Sequence, residues 1–413
     1  MPYTTRSDMK VAGSDATITR ISESIDAKEV VALAQELIRI PSVYRKEHQV
    51  SAYLLKKLAG WGFNPISVPV EGFGPCVVCQ HGEGKRHTVA LNGHMDTVEV
   101  KEGWNHDPFG AKIEKGMLYG LGSLDMKSGL AALMIAFKTI AESKTNLHCN
   151  IRFQAVTGEE ENSAGIRTLI ANGYFKDVKA AIVGEGIGGL GVITHGRRGG
   201  SYYEIEVTGR SAHGSTPHLG VSAIADAAKI ITALDGMKMR SSKGLVADSG
   251  EHLTESQLVL RISGGDVSYS VPDRCTFRVM RATVPGHPID ITKDLRRVIR
   301  SLGLRSKVEI KMQRSPGDLL KPYFSPTDSE LVTTARKWIK HYTEKDPRLV
   351  CGLSEADDNQ VAELTGVPVI CFGPGERGKL ARYHRAEEAV NVSQLDVASR
   401  IYCSTVLDLA SAP

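Results

Sequence analysis

Between residues 87 and 185 two kinds of apolar pattern alternate, and this alternation restricts the fold more than any other feature of the chain. HTVALN (87–92), LHCNIRFQAVT (147–157) and AAIVGE (180–185) are apolar runs of strand length. Between them, MKSGLAALMIAFKTIAES (126–143) and SAGIRTLIANG (163–173) carry apolar residues at helical spacing. Buried strands separated by helices predict a mainly parallel, covered sheet in an α/β domain. Upstream, Asp26 followed by Glu29 predicts a capping box. The helix behind it carries Val30, Val31, Leu33, Ala34, Leu37 and Ile38 and stops at Pro41. A second helix is expected near 47–60. The same grammar resumes from about 315, with a helix over 328–343, the strand PVICF (368–372) and a helix over 393–409.

The pattern between these two stretches is different. SYYEIEVTG (201–209) alternates like a half-exposed strand, and a helix follows at about 220–235. The strands SQLVLRISGG (256–265) and CTFRVMRA (275–282) come next, then a helix over 289–302 and a strand over 307–312. The order βαββαβ is that of a split βαβ unit. We therefore expect a discontinuous domain of residues 1–196 and 314–413, interrupted by a ferredoxin-like α+β insert of residues 197–313.

The 413 residues suffice for two to three domains, and 41% apolar with 24% charged residues excludes disorder or a coiled coil as a description of the whole chain. Lys and Arg total 51 against 47 Asp and Glu, a net +4, which leaves no electrostatic footprint for nucleic acid. The first twenty-four residues are polar and lack the apolar core of a signal peptide. No run approaches the ~18 apolar residues of a membrane span. A cytoplasmic protein with no membrane partner is expected. The seven cysteines are scattered among β-type neighbours, as buried thiols are. Cys76 and Cys79 form a CxxC, but PCVVCQHG looks like one short strand, and a zinc ribbon needs a second pair.

Ligands of open α/β sheets collect beyond the carboxyl ends of the strands. Here those ends are followed by His94 and Asp96, by Glu159, Glu160 and Glu161, and by Glu185. Asp125 lies in the glycine-rich loop YGLGSLDMKSG, and His384 lies beyond PVICF. Imidazoles and carboxylates at a sheet rim are the donors a divalent metal requires. His94 and Asp96 suit a ligating histidine held by a carboxylate. Two adjacent glutamates can divide the work, one binding metal and the other taking a proton from water. Singly these motifs are weak; together, at the strand ends of one domain, they predict a metal site.

ALNGHMDTV, GLGSLDMKSGLAA, TGEEENSAG, VGEG, GRSAHGSTPHLGVSAI and FGPG…YHRAEEAV resemble the zinc aminoacylase/carboxypeptidase family over about residues 28–405. That family includes acetylornithine deacetylase, succinyl-diaminopimelate desuccinylase, aminoacylases, glutamate carboxypeptidase and small peptidases. The resemblance implies a zinc-binding α/β domain and a lid that also makes a homodimer. It implies two divalent ions, zinc first, with cobalt or manganese as alternatives. His94, Asp125 and Glu185 would hold one ion and Asp125, Glu161 and His384 the other. Glu160 would be the general base, Asp96 would orient His94, and His213 would stabilise the oxyanion. Arg281, Tyr269 and Gly373 would contact substrate.

The implied activity is hydrolysis of an amide bond in an N-acyl amino acid or small peptide. Arg197, Arg198, Arg210 and Arg281 favour a substrate carboxylate. The alternative within the same site is an aminopeptidase, a dipeptidase or a deacylase of basic amino acids, using Glu355, Asp357 or Asp358 for an ammonium group. An alternative of another class is a non-catalytic metal- or amino-acid-binding relative, which predicts the loss of a site residue. The chain departs from its relatives at Leu121, where they often have Arg, at Tyr269, where they often have Asn, and in the acidic GLSEADDNQ (352–360). Two nucleotide-binding patterns lack their context. GIGGLG (186–191) does not open a helix, and the GxxxxGK at 373–379 continues with Leu380 in place of Ser or Thr.

Overall fold

The structure, a computed structural model, describes residues 6–266, 268–313, 319–376 and 382–411. The chain forms two compact units. One comprises Met1–His195, Ser325–Val350 and Ala356–Pro413; the other comprises Gly196–Phe324 and Cys351–Glu355.

The first unit is built on a sheet that is parallel at its centre and antiparallel at its margins. Asn150–Val156, Thr88–His94, Val178–Val183 and Val369–Cys371 run parallel in that spatial order. Cys76–His81 and Ile66–Val68 add antiparallel strands on one side, and Val192–Arg197 adds one on the other. Every residue of Thr88–His94 and Asn150–Val156 is buried, which is why the two strands are continuous apolar runs. The helix Ser128–Glu142 is buried along most of its length. Gly129 there allows the close approach that helix and sheet require, since a Cβ would lie 1.8 Å from the carbonyl oxygen of Gly184. Asp26 caps its helix by accepting from the Lys28 N–H, but Glu29 turns to Lys138 at 2.6 Å instead of closing the box.

A separate antiparallel sheet joins Ala389–Asn391, Met117–Tyr119 and Lys112–Glu114. The helix Arg6–Glu23, which the polar sequence conceals, contributes Ile18 to the interior. The strand Arg348–Gly352 and the helix Asp357–Thr365 also had no clear periodic signal. All seven cysteines are free and buried, with burial pushing the Cys76 and Cys79 thiols up to about 12 and about 11. Among the described residues no helix is long and apolar enough to cross a membrane.

In the second unit the strands lie in the order Lys307–Met312, Gly199–Thr208, Arg274–Thr283 and Ser256–Gly264, all antiparallel. This is the arrangement of the split βαβ unit. The helices Ala223–Asp235 and Thr292–Ser301 share its core, where Tyr203, Ile205, Val207, Ile230, Leu234, Phe277, Val279 and Leu295 are buried. A hairpin of Ser241–Val246 and His252–Thr254 is inserted after the first helix; it escaped the sequence pattern because both strands are short and bury only Ser242 and Leu253.

Candidate metal centre

Four segments of the first unit bring imidazole and carboxylate together. The strand Thr88–His94 ends on His94, whose Nε2 lies 3.0 Å from Asp125 Oδ1. The other ring nitrogen, Nδ1, lies 3.0 Å from the backbone carbonyl oxygen of Asp96 and 3.8 Å from its carboxylate. Asp96 therefore orients the ring mainly through its backbone. Its carboxylate accepts from the Glu160 N–H at 3.0 Å and so ties the glutamate run to the histidine loop.

Asp125 sits in the turn Ser123–Lys127, entered through Gly122 at φ +79°, where a Cβ would meet the Thr97 methyl at 2.6 Å. Burial would raise the Asp125 carboxyl, but His384 and His94 hold it well below the usual carboxylate range. His384 Nε2 lies 3.3 Å from Asp125 Oδ2 and 3.0 Å from Glu160 Oε2. These two acceptors raise the His384 imidazole to about 10. The loop residues 377–381 that lead toward His384 lie outside the described residues, as do Lys379 and Leu380 of the discarded nucleotide pattern.

The three consecutive glutamates form a short helical turn, Glu159–Asn162, after Gly158 at φ +71°. Successive residues of a helix point about 100° apart, so the three carboxylates diverge. Glu160 faces Asp125 and His384. Burial and Asp125 push its carboxyl up to about 7, against the opposing pull of His384. Glu159 is desolvated and held well above the ordinary value; His94 opposes the shift, and Asp357, Glu160 and Glu185 reinforce it. Glu161 points away, into an ion pair with Arg45 at 2.5 Å. The glutamate expected to bind metal is thus on a surface arginine, and the one expected to be the base stands beside Asp125 and His384. The spacing was legible, but the turn that aims it was not.

His94, Asp125 and Glu160 each offer a donor atom within 4.8 Å of the other two. Imidazole nitrogen and carboxylate oxygen in this arrangement fit a borderline divalent ion such as zinc. Glu185 is 9% exposed and contributes its charge to Glu159, but it lies outside this three-residue group. At Gly373 a Cβ would meet the Gly184 carbonyl oxygen at 2.5 Å and the Tyr402 hydroxyl at 2.6 Å, so close packing already accounts for that glycine.

His213, Tyr269 and Arg281 belong to the second unit. His213 is exposed and stands edge-on to Tyr269, with ring centroids 5.6 Å apart. The Ser215 N–H donates to His213 Nδ1 at 3.2 Å, which leaves Nε2 as the protonated nitrogen. Arg281 is 1% exposed and pairs with Glu255 at 2.6 Å, so it is not free for a substrate carboxylate as the resemblance implied. Arg210 donates to the Leu219 carbonyl, and Arg197 is fully buried with Nη1 on the Ser354 hydroxyl.

Some participants had no sequence signal. The Glu388 carboxylate is buried beneath the Asp125 turn. The Lys127 ammonium is buried against the Leu37 and Ile40 carbonyls, and burial lowers it to about 7. Asp357 is 3% exposed, and the Ser163 hydroxyl acts on its carboxylate.

Residues 90–408 match the model of peptidase family M20/M25/M40. A probable succinyl-diaminopimelate desuccinylase of Staphylococcus epidermidis is 25% identical over 407 residues, spanning 92% of this chain and 98% of the relative. A tripeptidase of Staphylococcus aureus shares the fold with a TM-score of 0.76 at 21% identity, covering 94% of this chain and all of the tripeptidase. An aminopeptidase of Bacillus cereus superposes with a TM-score of 0.74 at 20% identity, covering 94% and 99% of the two chains. The chain belongs to peptidase family M20/M25/M40 and is a metal-dependent hydrolase of amide or peptide bonds.

Proposed function

We propose that the protein hydrolyses the amide bond of an N-acyl amino acid or a small peptide at a centre for two divalent ions. His94, Asp125 and Glu185 would hold one ion; Asp125, Glu160 and His384 would hold the other. The observation that carries this reading is the convergence of Asp125 with both imidazoles, at 3.0 and 3.3 Å. Bound ions would polarise the scissile carbonyl and acidify a water molecule. Glu159 takes that proton and returns it to the leaving amine. Desolvation raises its carboxyl well above the ordinary value, and a more basic carboxylate is a better proton acceptor. Asp96 keeps His94 in one tautomer and, through the Glu160 N–H, holds the glutamate turn against it. His213 is the oxyanion donor in this reading, supported by an exposed ring whose Nε2 carries the proton.

A second reading, a substrate with a free amino group, is favoured by one observation. Asp357 is a buried carboxylate beside Ser163, within electrostatic reach of His94 and Glu159. Burying such a charge is costly. Its environment raises the carboxyl to about 7, chiefly by burial. The arginines expected to take a carboxylate are partly committed, as described above.

We also propose a homodimer through the second unit. Among the described residues the margin strand Ser256–Gly264 is paired on one side only, and it exposes Leu258, Leu260 and Ile262. An unpaired apolar edge is a template for a second copy. The reduced, buried cysteines support a reducing compartment.

The test is a hydrolysis screen with zinc, cobalt or manganese supplied, comparing N-acyl amino acids, the same compounds with amidated carboxylates, and free and N-acetylated dipeptides. Turnover of N-acyl amino acids that disappears on amidation supports the first reading. Turnover of free dipeptides alone supports the second. No turnover of any of these with any metal would overturn both.

A further inference from the structure

We infer that Glu388 is the positioning residue that holds Asp125 in place as a ligand. This inference rests on the reading of Asp125 as a ligand. Its carboxylate is 1% exposed and accepts three backbone N–H groups of the Asp125 turn. Oε2 accepts from Gly122 at 3.0 Å, and Oε1 accepts from Leu124 at 2.8 Å and from Asp125 itself at 3.0 Å. The backbone carbonyl of Glu388 takes a fourth donor, the Gly120 N–H, at 3.0 Å. One residue therefore satisfies four N–H groups of the segment Gly120–Asp125.

Local structure leaves these donors without other partners. Gly122 is left-handed, and Asp125 is extended at φ −127° and ψ 95°, so the turn closes the Ser123 N–H onto the Gly120 carbonyl and the Lys127 N–H onto the Gly122 carbonyl but turns the Gly122, Leu124 and Asp125 N–H groups toward Glu388. Buried N–H groups that find no acceptor cost ~1–3 kcal/mol each. A single carboxylate takes three because each of its oxygens accepts more than one bond.

Glu388 also joins two parts of the centre that are distant in sequence. It follows His384 by four residues and precedes the strand Ala389–Asn391, whose register sets Ala389 opposite Tyr119 and Val390 opposite Leu118. The segment that delivers His384 is thus fastened to the segment that delivers Asp125. The neighbouring Glu387 serves a different loop. It accepts from the Asn105 and His106 N–H groups at 2.6 and 3.0 Å, and from the His106 ring at 2.7 Å. Glu387 is therefore the internal control.

Glu388→Gln keeps the shape but presents an amide NH₂ to at least one backbone donor. The expected result is a ~10–100-fold weaker affinity for zinc, measured by competition with a chromogenic chelator. The increment in Tm that zinc produces should shrink in parallel. A purely architectural role would lower Tm equally with and without zinc and leave affinity unchanged. Glu387→Gln should behave in that way. If Glu388→Gln does not fold, Glu388→Asp, which keeps the charge but shortens the reach, is measured identically. Zinc affinity within twofold of the parent in the folded Glu388 variant would overturn the inference. Asp125→Ala separates the two levels: undiminished zinc binding there would refute the ligand reading itself, whereas loss there with normal binding in the Glu388 variant would refute only the positioning role.

Discussion

Replacing each of Glu159, Glu160 and Glu161 by Gln separates three roles that the sequence places side by side. Glu161 pairs with Arg45, and the two side chains are 29% and 54% exposed, so solvent screens the interaction. Glu161→Gln should leave turnover and metal content within twofold of the parent. Glu160 lies 3.0 Å from His384 and within the three-residue donor group. Glu160→Gln should bind less metal, seen as a lower metal-to-protein ratio after dialysis against a weak chelator. Glu159 is desolvated but lies outside that group. Glu159→Gln should retain metal and lose ~10²–10⁴ in kcat, the usual contribution of a general base. That factor is ~2.7–5.5 kcal/mol of barrier. Elemental analysis and steady-state kinetics on the three variants read all of this directly. The reasoning fails if Glu161→Gln empties the centre, or if Glu160→Gln keeps its metal and loses only turnover. Either result would return the roles to the register expected from sequence.

Other perturbations test the second unit. Arg281→Ala removes one of two arginines that pair with buried Glu255, Arg240 remaining at 2.9 Å, and should cost ~1–3 kcal/mol in urea unfolding; a selective rise in KM for carboxylate-bearing substrates with unchanged stability would instead place Arg281 at the substrate. Glu355 is a largely buried carboxyl that burial raises from the ordinary 4.5 to about 7, and its Oε1 has no hydrogen-bond partner among the described residues. Its folded-state pKa exceeds the unfolded one, so the stabilisation is fully present below about pH 4.5 and is lost as pH rises through about 7. The loss amounts to at most ~3 kcal/mol. Glu355→Gln should therefore gain on the parent between pH 5 and pH 8 in urea melts, and a pH-independent difference would contradict this. Leu260→Lys on the exposed margin strand should convert a dimer to a monomer in sedimentation, and an unchanged mass would remove that edge from the interface.

The apolar runs at 87–92, 147–157 and 180–185 determined the central strands, because a strand buried on both faces has no polar side to interrupt it. The split βαβ order likewise followed from alternation and helical spacing alone. The loops after those strands pointed to His94, Asp96, Asp125, Glu185 and His384 as one constellation, since costly polar groups at sheet ends are seldom there for packing. Periodicity was silent where burial was thin or strands were short, as in residues 15–23 and the hairpin after Ala223–Asp235. Resemblance also assigned Arg281 to substrate, whereas the folded unit buries it against Glu255, a partner 26 residues away.

The amino-acid sequence by itself determined which residue types gather at the strand ends and the chemistry they can support. Only the tertiary structure decided which of three adjacent glutamates meets Asp125, because one short helical turn after Gly158 sends them in directions about 100° apart. It alone revealed Glu388, whose work lies across 263 residues of sequence and depends on backbone N–H groups that no side-chain pattern records.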